Sequence, residues 1–166
     1  PAVRLIGIAG PRRTIIDAGG TEKVVEVASQ ESSVPVSIEG FTLTGGHGQG
    51  AGLSIVYVPQ FTEIRDMVVT GNSAGSEAGV WLFGSSATLI DVVVSNNVAV
   101  YAGAGISIWA GDGQGTSTVT MARVTVAGNQ AGDPLHWGNS ASSGRGAGID
   151  VLGSVSLTIQ DSTIRN

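Results

Sequence analysis

The chain contains no cysteine, a single lysine (Lys23) and two histidines, and only 13% of its 166 residues are charged. Each shortage excludes something. Without cysteine there is neither a disulfide framework nor a thiolate metal site. Eight Lys and Arg face 13 Asp and Glu, for a net charge of −5 and no basic cluster. That balance argues against nucleic acid or an anionic membrane as partner. No apolar run approaches transmembrane length, so no transmembrane segment is expected, and no signal peptide is visible. The lack of cysteine fits the cytoplasm and bacterial surface proteins alike. Because the chain begins at Pro1 and stops at Asn166 inside a repeat, it reads as a piece of a longer protein.

What is present in quantity is glycine, at 26 residues, together with an apolar share of 42% built mainly from Val, Ile, Leu and Ala. Glycine relieves φ > 0 positions at tight turns, and β-branched residues suit a pleated surface. The composition is that of an all-β protein, and the length is enough to bury one core.

The chain repeats. Ala-Gly-aliphatic recurs at Ala51-Gly52-Leu53, Ala78-Gly79-Val80, Ala104-Gly105-Ile106 and Ala147-Gly148-Ile149, with intervals of 27, 26 and 43 residues. Between these lie "TEIRDMVVTGN" (62–72), "ATLIDVVVSNN" (87–97) and "VTMARVTVAGN" (119–129), with fainter copies at 35–46 and 157–166. In each copy apolar and polar residues alternate, break once, and alternate again. The inward series reads Ile38, Phe41, Leu43; Ile64, Met67, Val69; Leu89, Val92, Val94; Met121, Val124, Val126; Ile159, Ser162, Ile164. The Ala-Gly strand adds Leu53/Ile55, Val80/Leu82, Ile106/Ile108 and Ile149/Val151, and Val25/Val27 take the same place one coil earlier.

Three short strands with period-two alternation and no helical stretch cannot close a core alone. Stacked as coils, with parallel pairing at roughly 4.8 Å, they can. The expected fold is a parallel β-helix, a β-solenoid of about six coils of roughly 26 residues, three short strands per coil. It forms a single segment spanning residues 1–166, with loop insertions at 111–117 and 132–146.

The Ala-Gly strands, with Gly71-Asn72-Ser73-Ala74 and Gly128-Asn129-Gln130-Ala131, resemble the pectin-lyase-like superfamily of right-handed parallel β-helices. They are similar to repeats of polymorphic outer-membrane and autotransporter-type bacterial surface proteins. That resemblance implies the fold; the scaffold hosts lyases, hydrolases, adhesins and stalks alike. Gly46-His47-Gly48 also resembles a pectinase motif in which the histidine is catalytic. In that family it works with strand aspartates before it and an Arg-x-Lys after it. Here the neighbouring strands carry Val24-Val25-Glu26-Val27 and Val80-Trp81-Leu82. His47 is therefore expected to be a solvent-facing turn residue.

Asn72, Asn97 and Asn129 share one repeat position, with Gly46 one coil earlier, and are expected to form a hydrogen-bonded ladder at a turn requiring the left-handed conformation. Asp66, Asp91 and Asp161 stand at the mid-repeat break with Gly40 and Arg123, either as turn formers or as acid/base or cation-binding carboxylates. Arg123 follows Asp91 in that column and offsets its charge.

The outward column of the Ala-Gly strand reads Glu26, Ser54, Trp81, Ser107, Asp150. Trp81, Phe83 and Trp109 either stack on sugar rings or cover the edge of the core. A second outward column, Thr42, Val68, Val93, Thr125 and Thr163, suggests ice binding only weakly, since valines interrupt it.

Asn129 to Gly148 spans 19 positions where the other coils use 7 or 8. The extra residues hold Asp133, His136, Trp137 and Arg145. They form either a functional loop or a tolerated insertion.

Two functions remain in view. One is a non-enzymatic structural or adhesive segment of a secreted or cell-surface bacterial protein: a stalk, filament or adhesin. Its partners would be neighbouring coils of the full-length protein or further copies of itself. The other is a polysaccharide lyase, glycoside hydrolase or carbohydrate-binding β-helix. On the Ala-Gly face, Glu26 and Asp150 lie four coil steps apart, about 19 Å, too far for two-carboxylate chemistry. An enzyme would instead draw on Asp150, Asp133, His136 and Arg145, and a sugar-binding surface on Trp81, Trp109 and Trp137. No metal or cofactor is expected.

Overall fold

The computed structural model describes residues 3–28, 35–58, 61–111, 115–132 and 146–165. Asp133, His136, Trp137 and Arg145 of the long insertion lie outside these residues, as does the middle of the shorter one. The described residues form eighteen strands and no helix, and every pairing between strands is parallel.

Three sheets run along the rod. The long sheet stacks Val3–Ile6, Val36–Glu39, Thr62–Thr70, Ala87–Ser95, Ser117–Ala122 and Val155–Gln160. Its second limb is completed by the short strands Ile15–Asp17, Thr42–Thr44, Thr125–Ala127 and Thr163–Arg165. The Ala-Gly sheet stacks Val25–Ala28, Leu53–Val56, Val80–Phe83, Ile106–Trp109 and Ile149–Leu152. A third sheet holds Ser73–Ser76, Val98–Ala102 and Gln130–Ala131. The long sheet thus has six rungs along its main path, the Ala-Gly sheet five and the third sheet three, so about four turns are wound rather than six. The difference arises because the outer rungs carry only part of the three-strand pattern.

Parallel stacking places equivalent residues over one another, so the alternation in sequence becomes columns in space. Leu53, Ile55, Ile64, Val69, Val80, Leu82, Leu89, Val92, Val94, Ile106, Ile108, Met121 and Val126 are fully buried in one continuous core. Each such side chain gains about 1.5–3 kcal/mol on leaving water. The inward residues of the outer rungs, among them Val3, Leu5, Val151 and Ile164, remain exposed.

The mid-repeat break has one cause in five of the six rungs of the long sheet. Gly40, Asp66, Asp91, Arg123 and Asp161 all adopt positive φ, between 47° and 83°. One left-handed residue bends the strand and resets the alternation. Inward positions therefore run Leu89, Val92 and Val94 rather than every second residue.

The Ala-Gly motif is explained by a tight corner. Ala51, Ala74, Ala78, Ala99 and Ala104 pack in a small cluster of their own. The glycines stack so closely that a Cβ on Gly79 would lie on the Gly105 carbonyl oxygen, and one on Gly52 would stand 2.5 Å from that of Gly79. The first position holds a buried methyl, and only a hydrogen fits the second.

Candidate functional site

Two turn columns bear polar groups. In the first, Asn72 Nδ2 donates to Asn97 Oδ1 at 2.9 Å, and Asn97 Nδ2 donates to Asn129 Oδ1 at 3.0 Å. The backbone N–H groups of Gly46, Asn72 and Asn97 donate to the side-chain oxygen of the next rung at 2.8–3.0 Å. All three asparagines are buried. The left-handed residue of this turn is the one before each ladder position, namely Gly45, Gly71, Asn96 and Gly128. This departs from the sequence-based expectation. The ladder asparagines contribute their amides, and the preceding residue takes the left-handed conformation, a glycine in three of the four rungs.

In the second column, Arg123 donates through Nε and Nη2 to the two oxygens of Asp91, at 2.7 and 2.8 Å. This hydrogen bonding, with the charges of Arg123 and Arg65, holds the Asp91 carboxyl below its ordinary value. The same contact raises Arg123 further. Asp66, Asp91, Arg123 and Asp161 are all exposed. His47 is exposed as well, and its Nδ1 lies 3.2 Å from Ser73 Oγ.

The outer face of the Ala-Gly sheet is where the rungs stop being alike. Register places Glu26, Ser54, Trp81, Ser107 and Asp150 in one column, and Ala28, Val56, Phe83, Trp109 and Leu152 in the next. The first column faces away from the core, yet Ser54 and Ser107 are fully buried and Trp81 is 9% exposed. It is not an open groove. The serine hydroxyls, both indole N–H groups and Asp150 Oδ2 are shielded from solvent and meet no hydrogen-bond partner among the described residues.

The aromatics pack against one another. Tyr57 meets Phe83 edge-on at 4.9 Å between centroids, Phe83 meets Trp109 at 6.2 Å, and Trp81 lies 5.4 Å from Phe83 and 6.4 Å from Trp109. Such offset and edge-to-face pairs add about 0.5–1.5 kcal/mol each beyond burial. Lys23, ion-paired with Glu26, brings its ammonium 6.0 Å from the Trp81 ring centroid. Beside Trp109 a cleft of about 560 Å³ opens at the bend into the long sheet, bordered by Phe83, Ala110, Gly111, Leu152 and Ser154.

Glu77 escapes a sequence reading confined to the strands. It is fully buried at φ 56°, directly before an Ala-Gly pair. Gly50, Gly103 and Gly146 hold the same place in other rungs, also at positive φ. Side chains there are costly, since a Cβ on Gly50 or Gly103 would come within 3.0 Å of the strand residue beneath it. The clue lies in the repeat itself, where a glutamate replaces glycine in one copy only.

Glu26 and Asp150 occupy the two ends of their column. Among the described residues no three His, Cys, Asp or Glu side chains group as metal ligands. The other outward column runs Thr42, Val68, Val93, Thr125 and Thr163 in register, with its two valines in the middle rungs.

Comparison of the chain with protein-family models, curated proteins and solved structures finds no match. The parallel β-solenoid therefore stands on its own geometry.

Proposed function

We propose that the chain is a non-enzymatic structural or adhesive β-helix segment of a secreted or cell-surface bacterial protein, serving as a stalk, filament or adhesin. The supporting observation is the separation of Glu26 and Asp150 at opposite ends of the Ala-Gly column. Four rung steps, about 19 Å, exceed the reach of paired acid/base carboxylates. The buried asparagines, which repeat along the rod, bond each rung to the next. They serve cohesion between coils. Neighbouring coils or further copies of the chain are the partners that such a rod suits best.

Incubation with a panel of acidic and neutral polysaccharides tests this reading. Reducing ends and the absorbance of unsaturated products should stay at the buffer level. Time-dependent product that is lost in Asp150→Asn would replace it with the lyase or hydrolase reading.

One observation favours a second role on the same scaffold. The row Phe83, Trp109 and Leu152, beside a cleft on the outer face, suits carbohydrate binding without turnover.

A further inference from the structure

We propose that the cleft beside Trp109 is a subsite for a neutral sugar, a pyranose ring bearing no carboxylate, with its C–H face on the row Phe83, Trp109 and Leu152. The inference rests on the carbohydrate-binding reading above and assigns it a ligand class.

Four features of the cleft lead to this class. Its volume, about 560 Å³, lies in the range of sites that enclose small molecules. Phe83, Trp109 and Leu152 stand in register on successive rungs, so apolar surface continues along the rod. Rungs about 4.8 Å apart advance by a step comparable to the length of one pyranose unit. Small residues line the cleft: Ala110, Gly111 and Gly153 border it, and a Cβ on Gly115 would meet nothing within 4 Å among the described residues.

Polar groups sit at the rim. Ser154 Oγ and Thr116 Oγ1 lie 3.1 Å apart, both exposed, and can exchange hydrogen bonds with ring hydroxyls. Aromatic faces with a few hydroxyls around them suit a ligand that is apolar on one face and hydroxylated at its edge.

Charge decides between sugar classes. None of the described residues lining the cleft is charged. On the strand that carries Leu152, the next residue on the same face is Asp150, a carboxylate. The nearest ammonium along this sheet, Lys23, lies 6.0 Å from the Trp81 ring and is already ion-paired with Glu26. A uronic acid would find no unpaired cation among the described residues around the cleft and would meet Asp150. A neutral ring avoids both penalties.

The test is a tryptophan-fluorescence and calorimetric titration of the whole chain with cellohexaose, mannohexaose and hexagalacturonic acid. At least one neutral hexaose should bind, and the galacturonate should bind at least about tenfold more weakly. Trp109→Ala should weaken binding about tenfold or more, and Trp109→Phe should keep most of it. Leu152→Asp, on a half-exposed side chain away from the main core, should weaken binding with an unchanged circular dichroism spectrum. Tighter binding of the galacturonate would overturn the neutral assignment and leave carbohydrate binding in place. Failure of all three sugars to bind, or indifference to both Trp109→Ala and Leu152→Asp, would overturn both. So would sedimentation showing that copies of the chain associate through this cleft and that Leu152→Asp separates them.

Discussion

Two columns of polar side chains run along this rod, one residue per rung, and they differ in almost everything else. The ladder of Asn72, Asn97 and Asn129 is buried. The bend column of Asp66, Asp91, Arg123 and Asp161 is exposed. Within the ladder every rung repeats the same residue, because an amide is both donor and acceptor and can bond to its own kind above and below. The bend tolerates either charge, because its side chains project into water and need only accept a left-handed backbone. Position in the coil, more than residue type, decides which column holds the rungs together.

The largest expected effect comes from breaking the ladder. Asn97→Ala removes the acceptor for the Asn72 N–H and Nδ2, and the donor to Val69 O and Asn129 Oδ1. Leaving such groups buried and unpaired costs about 1–3 kcal/mol each, so destabilisation of about 3 kcal/mol or more is expected in urea denaturation. A loss below about 1 kcal/mol would mean that the ladder is decorative and would erase the contrast with the bend.

At the bend the sign reverses. Asp66 sits exposed at φ 48°, a conformation that disfavours residues with a Cβ. Asp66→Gly should raise stability by about 0.5 kcal/mol, after subtracting the extra freedom that glycine has in the unfolded chain. The same substitution in the ladder, Asn97→Gly, should cost at least as much as Asn97→Ala.

The smallest effect belongs to the ion pair. Arg123 depresses the Asp91 pKa below the ordinary 3.8. A depressed folded value means that Asp91 adds stability above its ordinary value and loses that contribution as pH falls through the folded one. Asp91→Asn should therefore lower stability slightly at neutral pH, flatten the acid limb below about pH 4, and lose its effect in high salt. An undiminished effect in high salt would show that the pair is not an exposed one.

Much of this architecture can be read from the chain. The inward columns follow from period-two alternation, and the register follows from aligning "TEIRDMVV" with "ATLIDVVV". The break is legible because Gly and Asp, which tolerate left-handed turns, recur there. Arg123 would be hard to place there without its neighbours in the repeat. Alternation tells which way a residue faces, not what lies over it. For that reason Ser54 and Ser107, correctly placed on the outer face, are buried rather than open. Glu77 lies in a turn that a strand-based alignment passes over. The aromatic row was visible as separate residues, but its packing into one cluster beside a cleft depends on the bend between sheets, which has no period.

Hydrogen exchange at the backbone amides of Asn72 and Asn97 tests most directly whether the buried ladder couples the rungs. If it does, both amides should exchange only through global unfolding, with protection that falls as urea lowers overall stability. Exchange through local fluctuations, with a free energy well below the global value and insensitive to urea, would contradict it.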